Sequence, residues 1–276
     1  MMDGAFREWA IEHTAFLYTM IYEKGFVFFD LWSIAHFWSG LVLFLVLAAL
    51  NWKRKWFWLV FFILLYELCE VAFIYFALNI FKPERYNDLI MDVLVGVAGA
   101  SISNFILLFN SNTKKGEYLH AWSFMLFSSI TLAFIWVGNY QYTYNYEIFN
   151  TKGLNIGAFG LWTIGGFVFL LFYHATIRKE GRFFLRLFLS WIVYFVFLLV
   201  LEHTGYNTMQ WHEVSIPGAR PLILGLIHGN RALHFYYLIF PFLVIALFEI
   251  LSYLVFTAQN NLVRQKYKIS EQAVRA

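Results

Sequence analysis

The chain has 276 residues, of which 61% are hydrophobic, 22% aromatic and only 13% charged. A soluble globule of this size carries about 25% charged residues, so the composition predicts a polytopic membrane protein and excludes an ordinary water-soluble domain. The formal net charge of +3 carries no basic arm or patch, which argues against a nucleic-acid partner, and the single cysteine, Cys69, excludes an internal disulfide.

In chain order, the N-terminus places Asp3 and Glu8 against Arg7, unlike the basic start of a cleavable signal peptide. Residues 5–21 are too polar to span. Phe6, Trp9, Ala10, Phe16, Leu17 and Met20 recur at helical spacing, which predicts an interfacial helix. Seven apolar runs then predict spanning helices over Leu31–Leu50, Trp56–Ile80, Asp88–Asn110, Ala121–Tyr140, Ile156–Ile177, Phe183–Glu202 and Leu233–Thr257. The resulting fold class is all-α: a membrane helix bundle of about seven transmembrane helices plus an N-terminal interfacial helix. Its expected divisions are 1–25, an interfacial segment; 26–110, a three-helix unit; 111–260, a four-helix unit with a long outer loop at 204–232; and 261–276, a tail. Within the long loop, Leu222–Ile227 is too short to cross and could re-enter the membrane.

Loop charges predict the orientation. Lys53, Arg54, Lys55, Lys114, Lys115, Arg178, Lys179, Arg182, Arg264, Lys266, Lys268 and Arg275 fall on one side, and Arg7, Lys24, Lys82, Arg85, Lys152, Arg220 and Arg231 on the other. The first set is the larger, which puts the N-terminus outside and the C-terminus inside. A bacterial inner membrane is the expected location.

Glu67 and Glu70 lie within an apolar run that has no lysine or arginine between Trp56 and Ile80. A carboxylate at that depth is costly and usually marks a site with a partner. Both fall on one helical face, as do Asp88 and Asp92 on the next helix. His36 lies roughly 8 Å into the first span, and Glu70 about 15 Å below the outer end of the second. Two like charges so close cannot both stay ionised without compensation. Either one or both are protonated, or Arg85 or His36 reaches them, or a divalent metal sits between the helices. The spacing matches no sharp metal signature.

Each of these residues has a plainer reading. Asp88 and Asp30 could be helix N-caps, Cys69 a small buried apolar group, and Gly40, Gly96 and Gly99 points of close helix packing. His36, Glu67, Glu70 and Asp92 stand as candidate catalytic residues. Asp30, Asp88, Arg231, His234 and His203 are candidates for substrate binding. His174, within a span and without an acidic neighbour, is the candidate ligand if a pigment or haem is bound.

Asp30, His36-Phe37, Tyr66-Glu67-Leu68-Cys69-Glu70, Asp88, Asp92 and Gly99-Ala100 follow one another in an order that resembles the VanZ-like superfamily, and within it the YjdF-like family of polytopic membrane proteins. The resemblance covers about residues 28–105 and implies a helical bundle with a polar site and a role at the cell envelope; it implies no particular reaction. Three functions are therefore expected in order: a site directed at a polar-headed membrane lipid or envelope component; a non-catalytic subunit packed on other membrane-protein subunits; and a proton-coupled transporter using Glu67, Glu70 and Glu249.

Overall fold

The computed structural model describes residues 8, 15–73, 86–108, 114–147, 150, 153–179, 182–211, 214 and 231–275. Among them are seven α-helices: α1 (Leu31–Ala49), α2 (Lys55–Phe73), α3 (Tyr86–Leu108), α4 (Lys114–Tyr140), α5 (Ile156–Ala175), α6 (Phe183–His203) and α7 (Arg231–Arg275). Six regions, all but α2, are long and apolar enough to cross a membrane. The described part of α2 carries Lys55, Glu67 and Glu70 within 19 residues, and the expected continuation to Ile80 lies outside the described residues. The chain divides into two compact units, Met1–His120 with Leu251–Ala276, and Ala121–Ile250. The re-entrant piece Leu222–Ile227 and the candidate partner Arg85 lie outside the described residues.

Over 15–21 the first unit departs from the expected interfacial helix; of the rest of that stretch, only Glu8 is described, and it is helical. Ala15–Tyr18 form a single 3-10 turn, and Met20–Lys24 (β1) pair antiparallel with Val27–Asp30 (β2). Gly25 explains the change. Lys24 pairs with Val27, leaving a two-residue turn whose first position is Gly25 at φ +61°, a left-handed conformation that suits glycine and closes a tight hairpin. Helical spacing of apolar residues cannot register such a reversal. Met20, Ile21, Tyr22 and Phe26 are exposed on this hairpin.

Asp30 ends β2 and starts α1. Its Oδ1 accepts from the Ser33 backbone N–H at 2.9 Å, and the Ser33 hydroxyl faces the Asp30 N–H at 3.4 Å, so the two residues form a reciprocal cap. Helices α1 and α3 are the most closely packed pair. Gly40 and Gly99 make this possible. A Cβ on Gly40 would collide with the Gly96 carbonyl oxygen, and one on Gly99 with the Phe37 carbonyl oxygen. The Ser103 hydroxyl crosses the same seam to the Leu41 carbonyl at 2.8 Å. Small residues thus let two backbones approach where lipid offers no hydrophobic drive for association.

Helix α2 turns both of its glutamates inward, in line with apolar residues. Leu59, Ile63, Glu67 and Glu70 form its buried face, while Leu64, Leu65 and Leu68 are exposed. Cys69, expected to be buried, is exposed instead. It lies two residues beyond Glu67, about 200° round the helix, so the geometry that turns the glutamates inward turns the thiol outward. The end of α7 joins this unit, where the Asn261 side-chain amide donates to the Ala49 carbonyl at 2.8 Å.

The second unit is built around aromatic rings. Trp136 of α4 stacks on Tyr236 of α7 at 3.9 Å and 7°. Trp162 of α5 meets Tyr237 at 5.5 Å and Phe240 at 4.9 Å. Gly166 leaves room at the core: a Cβ there would stand 3.1 Å from the Phe240 ring. Some hydroxyls bond back along the chain, Ser129 donating to the Met125 carbonyl and Thr176, at the C-cap of α5, to that of Phe172. Helix α7 runs unbroken to Arg275, so the expected tail is helical over residues 261–275, and Pro241 lies within the same helix.

Candidate functional site

Three helices of the first unit bring acid and imidazole together. His36 projects from the second turn of α1. Its Nδ1 lies 3.4 Å from Glu67 Oε1 on α2, and its Nε2 lies 3.6 Å from Asp92 Oδ2 on α3. His36 is 6% exposed, Glu67 3%, Glu70 5% and Asp92 0%. Glu70 follows Glu67 on the same inward face, one turn along α2.

The sequence dictates this convergence in simple steps. The reciprocal cap fixes where α1 begins, and so the direction in which His36 points. Glycine packing of α1 on α3 brings Asp92 to the Nε2 side. The inward face of α2 supplies Glu67 to the other. Aromatic rings wall the imidazole: Tyr66 lies edge-on at 5.5 Å and Trp32 at 5.7 Å, and Tyr18 stacks on Trp32. Neither Trp32 nor Tyr18 was singled out by spacing or charge.

The proton arithmetic is restrictive. A neutral imidazole carries one N–H and one lone pair. With a carboxylate on each ring nitrogen, one of them would face that lone pair. Two arrangements relieve the conflict at the same total charge: an imidazolium between two carboxylates, or a neutral imidazole with the carboxyl on its lone-pair side protonated. A proton passed between His36 and a carboxylate would therefore leave the charge of the cluster unchanged, which is one requirement for a general acid–base group. No group of three or more His, Cys, Asp or Glu among the described residues is arranged to hold a metal ion.

The remaining expected residues fall elsewhere. Asp30 is accounted for by capping; burial raises its pKa above the ordinary carboxylate value, opposed by hydrogen bonds to Ser33. Asp88 is not the cap of α3 but the third residue of the helix, in a first turn whose dipole favours an acid. His203 and His234 belong to the second unit. His203 is exposed and its Nδ1 lies 3.0 Å from the Asn207 side-chain amide. Arg231 opens α7, and its side chain lies outside what the structure describes.

His174 departs furthest from expectation. Its Nδ1 is 3.1 Å from Arg178 Nη1, and Arg178 Nη2 in turn pairs with Glu249 Oε2 at 3.0 Å. Tyr173 donates to the other oxygen of Glu249 at 3.0 Å. Guanidinium only donates, so in this contact Nδ1 of His174 is the acceptor. The acidic neighbour was invisible in the sequence because Glu249 lies 71 positions from Arg178. The same pair neutralises the Glu249 that a transport role was expected to use.

Compared with protein-family models, with curated proteins and with solved structures, the chain finds no match.

Proposed function

We propose that this protein is a multi-pass membrane protein whose first unit holds an acid–base site, His36 between Glu67 and Asp92, directed at the polar head of a membrane lipid or envelope component. The observation that carries the reading is the bracketing of one buried imidazole by carboxylates from two other helices. In the proposed roles His36 exchanges the proton, Glu67 and Asp92 orient the ring and share its proton, and Glu70 adds acidity to the same face. The level of the site favours a headgroup. His36 is about 8 Å from the start of α1, next to a hairpin with exposed Met20, Ile21, Tyr22 and Phe26, the kind of apolar surface that seats at a headgroup boundary.

In this reading α2 is a seventh span, and the larger set of basic loop residues faces the cytoplasm of a bacterial inner membrane, which opens the site to the outer leaflet. The order of polar residues on α1, α2 and α3 is the basis for a relationship to VanZ-like proteins.

The test is native mass spectrometry of the protein in nanodiscs made from its host's lipids. The wild type should retain one lipid class selectively. His36→Gln, Glu67→Gln and Asp92→Asn should each lose that selectivity while keeping a wild-type helical circular-dichroism spectrum. An unchanged lipid profile in all three folded variants rules the site out.

A further inference from the structure

The turn between α1 and α2 carries Lys53, Arg54 and Lys55 in succession, with Trp52 on one side and Trp56 on the other. We propose that this turn binds the headgroup of an anionic phospholipid, with Lys53 and Arg54 on the phosphate and the exposed Trp52 and Trp56 flanking it. The turn lies roughly 20 Å along α1 from His36, and the proposal does not depend on the acid–base reading of that residue.

The backbone here is tightly built. Helix α1 ends in a Schellman cap: Asn51 adopts a left-handed φ of +56°, its N–H donates to the Ala48 carbonyl at 3.1 Å, and the Trp52 N–H donates to the Leu47 carbonyl at 3.0 Å. Arg54 precedes α2, and its carbonyl accepts from the Trp58 N–H at 3.2 Å. Arg54 also stands at φ +56°. Asparagine tolerates this conformation, arginine is strained in it, and glycine adopts it freely. A turn that had only to reverse the chain gains nothing from arginine at this position. The rings are anchored too: Trp56 packs on Phe44 at 4.8 Å, and Trp52 meets Trp58 edge-on at 5.1 Å.

Positive charge is displayed beside apolar surface. Lys53 and Arg54 are exposed, and Lys55 is half-buried. None of the three side chains makes a hydrogen bond or ion pair among the described residues. The sequence has no acid between Asp30 and Glu67, and Glu67 is roughly 18 Å along α2 from Lys55. Helix α7 adds charge of the same sign. Asn261 ties it to the Ala49 carbonyl at 2.8 Å, and Arg264, about one turn further on, is exposed. Leu50 and Phe57 are exposed next to the two tryptophans.

The chemistry selects a lipid. Cations at a membrane boundary strengthen the hold on anionic headgroups by roughly fivefold for each charge. Indole belongs at the same boundary, its ring toward acyl chains and its N–H toward polar groups. A soluble phosphate would satisfy the cations and leave the apolar side chains uncovered, whereas an anionic phospholipid covers both.

The experiment is native mass spectrometry of the full chain in dodecyl maltoside, titrated with dioleoyl phosphatidylglycerol or with zwitterionic dioleoyl phosphatidylcholine. Phosphatidylglycerol should bind about tenfold tighter or more. Arg54→Gly should weaken it roughly fivefold, and Lys53→Gln combined with Arg54→Gly roughly twenty-five-fold, with phosphatidylcholine unchanged. Arg54→Gly should keep the midpoint of thermal unfolding, because glycine fits the left-handed angle, so that the loss is one of binding and not of folding. Lys179→Gln combined with Arg182→Gln, which removes two exposed cations from the second unit, should leave the affinity unchanged. Equal affinity of the wild type for the two lipids, a folded turn variant with wild-type affinity for phosphatidylglycerol, or an equal loss from the second-unit pair would overturn the proposal. So would displacement of phosphatidylglycerol by glycerophosphoglycerol, which has the headgroup and no acyl chains, since the occupant would then be a soluble phosphate. The comparison of the two lipids on the wild type stands even if a variant does not fold.

Discussion

At the scale of single residues, proton position can be followed through stability. Asp30 offers a clean case because asparagine caps a helix as well as aspartate. Its pKa is raised in the fold by burial, so its contribution to stability is complete below the unfolded value of about 4 and is lost as pH climbs through the folded one. Asp30→Asn removes that titration. Between pH 4 and 7 the wild type should lose stability relative to the variant, measured as the midpoint of thermal unfolding in detergent; parallel curves would show that the carboxyl is not desolvated. Arg178 and Glu249 form a different kind of pair, each about one third exposed. A double-mutant cycle of Arg178→Gln and Glu249→Gln should give a coupling of about 1 kcal/mol or less, since solvent screens such pairs. A coupling several times larger would place them deeper in apolar surroundings than their exposure indicates. The sequence signalled the acids of α2 and α3 because charge is rare in apolar runs. It gave no sign of the Arg178–Glu249 pair, whose arginine reads as an ordinary loop cation.

Elements show where sequence patterns succeed and where they stop. Each of the seven apolar runs contains a helix among the described residues, and six of these are long and apolar enough to cross a membrane, where a segment must hydrogen-bond its own backbone and has few alternatives to a helix. Gly40 and Gly99 were legible as packing points for the same reason: small residues in an apolar helix have little other use. The hairpin at 20–30 was not legible, since it depends on one backbone angle at Gly25 and on a cap at Asp30, the last residue of the second strand. The inward direction of α2 was legible only in its charged residues, and Cys69 shows that an apolar neighbour cannot be assigned a side by type alone. The α1–α3 seam gives a sharp expectation. Gly40→Ala and Gly99→Ala should each destabilise the first unit by about 1–3 kcal/mol through overpacking, read as loss of midpoint in denaturant titration. Gly160→Ala, where a Cβ meets nothing within 4 Å, should cost nothing. Equal effects at all three positions would mean that the seam is not close-packed.

For the whole molecule, the division into two units was only partly visible. The boundary falls inside α4, at His120 and Ala121, and Leu251–Ala276 return to the first unit. Neither point is marked by a break, because each falls within a continuous helix. A chain ending at residue 250 would therefore strip the first unit of its last helical wall, including the Asn261 bond to Ala49. Such a truncation should lower the midpoint of thermal unfolding in detergent, whereas a chain ending at residue 264, which keeps Asn261, should hold the midpoint of the full protein. Equal midpoints for both truncated chains would show that the end of α7 is dispensable. The outward-turned Cys69 has a practical consequence of its own. It is the only thiol in the chain, and it sits roughly 21 Å along α2 from Lys55. A nitroxide attached there needs no engineered background, and its relaxation by dissolved oxygen, set against that by a water-soluble nickel chelate, would read out immersion depth directly, turning a residue of no evident chemistry into the protein's built-in depth gauge.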